Sequence, residues 1–170
     1  MTLYHGSNIE IDAIRLEKCA PFKDFGRGFY TTSLREQAWK MATRTTSMSK
    51  KGSPCVTAFE FDDALFSDAD LKTKRFAGPS SEWARFVVNN RNRVFKDVGS
   101  PECNADAKYD IVIGPVANDD IVGLMDVFLA GLISDDLLAR GLTFRELSSQ
   151  LSFHTEKAVS HLRKTGGWHG

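Results

Sequence analysis

The chain has 170 residues, of which 42% are hydrophobic and 26% charged, and its formal net charge is zero. This composition is that of an ordinary globular domain, and it excludes a disordered chain, a collagen-like repeat and a small disulfide scaffold. The length suits one domain, which we expect to span residues 1–165, with 166–170 as a flexible tail.

Cysteine usage and hydropathy indicate a cytoplasmic protein. Cys19, Cys55 and Cys103 form no C-x-x-C pair, so we expect reduced thiols and neither a zinc ribbon nor a thioredoxin motif. The N-terminus lacks the basic and apolar regions of a signal peptide. The most apolar stretch, 121–133, contains Asp126 and is too short to span a bilayer, so we expect no membrane partner.

The first half of the chain predicts strands with one long helix among them. The segments 3–7, 28–32 and 56–61 are rich in aromatic and β-branched residues, which favours strands. Between the second and third segments, Ser33 and Glu36 form a capping box that predicts a helix to about Met48.

The second half predicts two further strands among helices. Strands are expected at 109–113 and at 150–154, and Gly114-Pro115 is expected to end the first of them. Helices are expected at 82–93, from 119 after an Asn118 cap, near 134–140, and from a Thr155 cap to about Arg163. Strands and helices do not alternate strictly, so the pattern favours a mixed α+β domain over a doubly wound parallel sheet.

The zero net charge hides two oppositely charged segments. Residues 72–96 contain seven basic residues and one acidic residue, whereas 101–136 contain eight acidic residues and one basic residue. The basic segment is suited to a polyanion or a phosphate. Alternatively, the two segments face each other or water.

Common catalytic motifs are missing from the sequence. It contains no phosphate-binding glycine-rich loop, no G-x-S-x-G and no H-E-x-x-H. Asp24-Phe25-Gly26 spells the kinase magnesium tripeptide, but the chain is too short for a kinase and no H-R-D precedes it. The four histidines are not spaced with other ligands, so we expect no metal.

Three pieces of sequence remain, and together they carry a family resemblance. They are L-Y-H-G-S at 3–7, D-F-G-R-G-F-Y-T-T at 24–32 and Q-L-S-F-H-T at 150–155. In this order they resemble the ADP-ribosyltransferase superfamily, and within it a bacterial family catalogued only as a domain of unknown function. The likeness extends from residue 3 to 162. It implies two small, mainly antiparallel sheets with flanking helices and NAD in the cleft between them. It also implies a toxin-type enzyme paired with a small antitoxin protein.

The resemblance places His5, Tyr30 and Gln150 at the three signature positions of the superfamily. The imidazole of His5 is suited to hydrogen-bond a ribose hydroxyl. Gly6 has no side chain, so its backbone can approach the nicotinamide carboxamide closely. The alternative is a structural histidine beside a turn glycine.

Tyr30 and one further residue, Arg27, are also candidates for contacts with NAD. The ring of Tyr30, on the opposite face from Phe29, is suited to stack on the cationic nicotinamide. The alternative is that Tyr30 belongs to the core. Arg27, between Gly26 and Gly28, could bind the pyrophosphate with two hydrogen bonds, or could be an exposed turn residue.

Gln150 is the candidate catalytic residue. Cleavage of the nicotinamide–ribose bond passes through an oxocarbenium-like state, which a group hydrogen-bonded to the ribose 2′-hydroxyl stabilises. Many members of the superfamily use Glu there; Gln accepts the same hydrogen bond, but it carries no charge and cannot be a general base. Glu146 and Glu156 are alternative carboxylates, and Gln150 could also be a plain strand-edge residue.

The sequence therefore predicts an NAD-dependent mono-ADP-ribosyltransferase. It would expel nicotinamide and pass ADP-ribose to a macromolecular acceptor, either a protein or a nucleic acid. One alternative is a catalytically weak module that binds NAD or ADP-ribose, which the uncharged Gln150 favours. Another is an NAD glycohydrolase, in which water replaces the acceptor. Asn89, Asn90 and Arg91 are secondary candidates for contacts with cofactor or substrate.

Overall fold

The computed structural model describes residues 1–91, 103–117, 119–134, 137–138, 140–141 and 148–170. It contains helices and mainly antiparallel sheets, which confirms the predicted α+β class. The strands are β1 (Thr2–Ser7), β2 (Phe29–Thr31), β3 (Cys55–Glu60), β4 (Thr73–Arg75), β5 (Ile111–Pro115), β6 (Ser149–Phe153) and β7 (Arg163–His169). The helices are α1 (Arg35–Ser49), α2 (Ser81–Arg91), α3 (Asp119–Leu129) and α4 (Glu156–Val159).

The strands form two sheets. One has three antiparallel strands in the order β1-β3-β7. The other has four strands in the order β2-β6-β5-β4, in which only the β4–β5 pair is parallel. The two sheets meet where Tyr4 of β1 and Thr32, just after β2, exchange backbone hydrogen bonds of 2.8 and 2.9 Å.

Apolar side chains arrange the domain in layers. A cluster that includes Leu3 and Phe59 from the first sheet, and Phe29 and Phe153 from the second, lies between the sheets. A second cluster packs α2 and α3 on the other face of the four-stranded sheet. A smaller one packs α1 on the outer face of the three-stranded sheet through Ala38, Ala42 and Val56.

Two local predictions in this part of the chain were wrong. The residue before α1 is Leu34, and no side chain caps the helix there. The Leu34 N–H donates to the Thr32 hydroxyl instead. Ser33 and Glu36 therefore form no capping box. Gly114-Pro115 belongs to β5 rather than ending it, because β6 pairs with both residues. The expected helix at 82–93 begins one residue earlier, at Ser81, and the Ser80 hydroxyl accepts from the Trp83 N–H at its start.

The C-terminal residues also differ from the prediction. Thr155 caps α4 as expected, but this helix ends at Val159 instead of near Arg163. The expected flexible tail, 166–170, instead extends β7, which pairs with β3 as far as His169. This glycine-rich segment has no apolar pattern, and it forms a strand because its backbone pairs with β3.

The three thiols are free, as predicted. Among the described residues, no helix has the length and apolarity needed to cross a membrane.

Candidate functional site

A buried carboxylate, Asp24, lies at the centre of the candidate site. One of its oxygens accepts two hydrogen bonds from Arg91 at the end of α2, at 2.9 and 2.5 Å. The other accepts from the Ala117 N–H at 3.0 Å and from the Gln150 amide at 2.7 Å. Asp24 is only 6% exposed, and these four donors replace the water that an ionised carboxylate needs.

Gln150 lies on the face of β6 that carries this network. Leu151 and Phe153 alternate with it and point into the cluster between the sheets, so Gln150 faces the opposite side. Its amide nitrogen donates to Asp24 and, at 3.3 Å, to the Pro115 carbonyl. Within the described residues, its carbonyl oxygen has no hydrogen-bond partner.

Tyr30 shares this face, opposite Ser152 on β6. Its hydroxyl donates to the Gly26 carbonyl at 2.8 Å and accepts from the Phe25 N–H at 2.9 Å, which fixes the D-F-G turn. Burial, and then the charge of Asp24, raise the pKa of Tyr30 well above its usual range, so the phenol is neutral. The sequence prediction that Tyr30 and Phe29 point to opposite faces is confirmed by their two clusters.

His154 extends the polar face, and the sequence analysis gave it no role. Its Nδ1 lies 2.8 Å from the Arg27 carbonyl, so this nitrogen carries the proton, and Nε2 lies 2.8 Å from the Ser152 hydroxyl. Burial lowers the pKa of His154 to about 4. Its ring meets Tyr30 edge to face, with centroids 6.3 Å apart. The imidazole is therefore neutral and holds Arg27, Ser152 and Tyr30 together.

His5 does not join Tyr30 and Gln150 on this face. Its ring stacks on Phe29, with centroids 4.4 Å apart, and its Nδ1 donates to the Tyr30 carbonyl at 2.7 Å. Burial lowers the pKa of His5, so the ring is neutral and its Nε2 is left as an acceptor. The structure thus connects His5 with Tyr30 through the backbone of β2.

Gly6 lies where α1 crosses β1. A Cβ at this position would lie 1.8 Å from the Ala38 carbonyl oxygen in α1, so only glycine fits. The close backbone approach expected of Gly6 is thus made by a helix of the same chain. Its predicted contact with nicotinamide stays a prediction.

Arg27 is exposed at the surface and reaches back to the preceding loop. Its Nη1 donates to the carbonyls of Glu17 at 3.1 Å and Cys19 at 2.8 Å. One guanidinium nitrogen is thus used within the fold, and the predicted contact with a pyrophosphate stays a prediction.

A cavity of about 540 Å³ opens beside the junction of the two sheets. It is bordered by Tyr4 of β1, by Arg35, Gln37 and Lys40 of α1, and by Ser148 just before β6. Gln37 also accepts from the Thr32 hydroxyl at 2.9 Å, which attaches α1 to the junction. The cavity therefore combines two cations, the Glu36 carboxylate, an amide and three hydroxyls at the point where the sheets meet.

The remaining candidates have different places. Glu146 lies outside the described residues, and Glu156 is exposed in the first turn of α4. Asn90 is buried and bonded to Phe86 and Asn104, so its amide is used inside the fold.

The basic segment 72–96 is partly neutralised inside the domain. Lys74 pairs with Glu82 and Arg91 with Asp24, and the guanidinium of Arg85 lies 4.7 Å from the Phe128 ring centre. The prediction of a basic surface for a polyanion gains no support from these residues.

Sequence reasoning missed the central part of the site. The motif at 24–32 contains Asp24 but gives its carboxylate no role, and the sequence offers Arg91 only as a secondary candidate. Their ion pair joins residues 67 positions apart, which no local spacing could reveal. The available signal was the position of Asp24 within the same motif as Tyr30.

Comparison with known proteins gives one match. The model of a family described as "Protein of unknown function (DUF3990)" matches residues 1–163. No curated protein and no solved structure matches the chain.

Proposed function

The chain belongs to the DUF3990 family, whose description assigns no activity, and from its residues we propose that it is an NAD-dependent mono-ADP-ribosyltransferase. The reaction breaks the bond between nicotinamide and ribose, releases nicotinamide, and joins ADP-ribose to a macromolecular acceptor, a protein or a nucleic acid. The toxin-type role and the small antitoxin partner implied by the resemblance are part of this proposal.

The adjacency of the three motif strands carries the proposal. β1 contacts the end of β2 through Tyr4 and Thr32, and β2 pairs with β6. These strands hold the predicted signature residues, although 25 residues separate His5 from Tyr30 and more than a hundred separate Tyr30 from Gln150. Such a meeting of remote motifs is what a shared ligand site requires.

The cavity at this junction supplies groups suited to a dinucleotide. Its volume lies within the usual range for small-molecule sites, roughly 300–1,000 Å³. Arg35 and Lys40 offer positive charge for a pyrophosphate, and the guanidinium of Arg35 lies 4.3 Å from the Trp168 ring centre. We therefore place the phosphates at α1 and the nicotinamide end toward β2 and β6.

The Asp24 network supports a defined role for Gln150. Because Asp24 takes the amide nitrogen, the side chain is oriented and its carbonyl oxygen is left to accept from the ribose 2′-hydroxyl. An acceptor dipole held in advance stabilises the developing positive charge without reorganising during the reaction. Gln150 would thus act on the substrate, and Asp24 would be its positioning residue.

The same network explains why glutamine suits this position. Gln150→Glu would set a second carboxylate against Asp24, where the amide now donates at 2.7 Å. Two buried carboxylates in contact repel each other unless one is protonated. We therefore expect Gln150→Glu to lower stability rather than to raise turnover.

The test is incubation with NAD labelled in its adenylate part, together with protein and nucleic-acid fractions of a cell lysate. We expect label on one class of polymer, and Gln150→Ala should abolish most of it. Asn104→Ala is the matched control: Asn104 is also a buried amide, bonded to Tyr109, but within the described residues it makes no hydrogen bond to Asp24 or Gln150 and does not line the cavity. Label appearing only as free ADP-ribose would indicate the glycohydrolase. Binding of NAD without turnover would indicate the binding module.

A further inference from the structure

A second group of chemically reactive side chains lies at one end of the three-stranded sheet. Cys55 begins β3 and lies opposite His169 near the end of β7, and Glu10 follows β1. One ligand atom from each of the three lies within 4.8 Å of the other two. We propose that Glu10, Cys55 and His169 form a binding site for a zinc ion.

The types of the three ligand atoms favour zinc. A sulfur, an imidazole nitrogen and a carboxylate oxygen are the three ligand types that zinc takes in proteins. Calcium and magnesium prefer oxygen ligands alone, so the sulfur of Cys55 argues against both. Three protein ligands leave a fourth tetrahedral position for a water molecule.

The positions of the ligands require only a small adjustment. Zinc bonds of roughly 2.0–2.3 Å in a tetrahedron place ligand atoms about 3.5 Å apart. The group therefore has to contract by about 1 Å. Cys55 is fixed by the sheet and is 1% exposed, whereas the His169 side chain is 57% exposed. Because its side chain is the exposed one of the two, His169 can make most of the movement.

The surroundings already orient the carboxylate. Lys164 donates to one oxygen of Glu10 at 2.6 Å and to Asp12 at 2.9 Å, while His169 lies 2.8 Å from the other oxygen of Glu10. A metal ion would replace the direct contact between His169 and Glu10 and leave Lys164 in place. A partner that holds a ligand carboxylate in this way is typical of metal sites.

The proposed ion would join distant parts of the chain. Glu10 and His169 are 159 positions apart, and Cys55 lies on the central strand between their elements. Because zinc would bind the folded arrangement and not the separated ligands, it would stabilise the fold by an amount that rises with the logarithm of its concentration above Kd. This proposal is independent of the proposed transferase activity.

The experiment uses the full chain after treatment with a chelator. Zinc is titrated by calorimetry, and cobalt is used as a spectroscopic substitute because a thiolate ligand gives a near-ultraviolet charge-transfer band. We expect one ion per chain, a higher melting temperature with zinc, and a cobalt spectrum with the thiolate band.

Substitutions assign the ligands. We expect Cys55→Ser and His169→Ala to weaken binding at least about ten-fold. The matched controls Cys19→Ser and His161→Ala should bind as the unaltered chain does, since neither residue lies in the cluster. His169 is exposed, so its variant should fold even if the Cys55 variant does not. Absence of binding, a cobalt spectrum without the thiolate band, or equal binding by His169→Ala and His161→Ala would overturn the proposal.

Discussion

Two carboxylates in this molecule, Asp24 in the interior and Glu10 at the surface, have hydrogen-bond partners that differ in how easily water can replace them. Asp24 is 6% exposed and accepts from Arg91, Gln150 and the Ala117 backbone. Glu10 has an ion pair with Lys164, but its side chain remains 32% exposed. Water can replace the partners of Glu10, whereas nothing in the interior can replace those of Asp24.

The hydrogen-bond partners of Asp24 are fixed by the fold, whereas those of Glu10 can be exchanged for others. Asp24 joins the D-F-G turn, the end of α2, the segment after β5 and the start of β6, so its loss releases four parts of the chain at once. The partners of Glu10 are free to rearrange around a metal ion. The buried cluster is therefore suited to holding a reactive group, and the surface cluster to binding.

The largest effect is expected from removal of the buried carboxylate. Asp24→Ala leaves Arg91 without its ion-pair partner and the Gln150 amide without its main acceptor, which should cost about 3–5 kcal/mol of unfolding free energy. Urea unfolding measures this. Glu10→Ala, measured in chelator, is the control and should cost much less, because the ion pair of Glu10 is exposed to solvent. Equal losses would show that the burial of Asp24 has no energetic consequence.

The next largest effect is expected on the pH dependence of the unfolding free energy, and it is due to His154. Its pKa is about 4 in the folded protein, against 6.5 when unfolded, so between these values the unfolded state binds the proton more readily. The contribution of the neutral ring is complete above pH 6.5 and is lost as the pH falls toward 4. The loss should reach about 3 kcal/mol.

Unfolding curves at several pH values test this expectation. His154→Gln removes the titrating group, so its stability should fall less than that of the unaltered chain over the same interval. His161→Gln, on an exposed residue, is the control. If the stability of both variants falls with pH as steeply as that of the unaltered chain, burial of His154 does not govern the acid sensitivity.

A smaller effect is expected at Arg27. Arg27→Ala removes two hydrogen bonds to exposed backbone carbonyls, which should cost about 1 kcal/mol of unfolding free energy. We expect it to raise the KM for NAD less than Arg35→Ala does, because Arg35 borders the cavity. The opposite order of KM values would place the pyrophosphate at Arg27.

Local pattern predicted β1, β2, β3, β5 and β6 but not β4 or β7. β1, β2 and β6 combine aromatic, β-branched or apolar residues with turn signals, and each was predicted within about two residues. β7 contains two glycines and mostly exposed side chains, so its sequence has no pattern to recognise. Only pairing with β3 makes it a strand, and such pairing is a property of the whole fold.

The candidate site was predictable only in part for a related reason. His5, Tyr30 and Gln150 lie in short motifs, and the structure places those motifs on neighbouring strands. The contact between Asp24 and Arg91 depends on how α2 packs against the D-F-G turn. That packing follows from the apolar core, which no single motif encodes.

The most direct test of the central claim is the rate of nicotinamide release from NAD by the unaltered protein, Gln150→Ala and Asn104→Ala. We expect release by the unaltered protein, a fall in kcat of about 10²-fold in Gln150→Ala with little change in KM, and near-normal kcat in Asn104→Ala. Absence of release by the unaltered protein, or equal losses in the two variants, would contradict it.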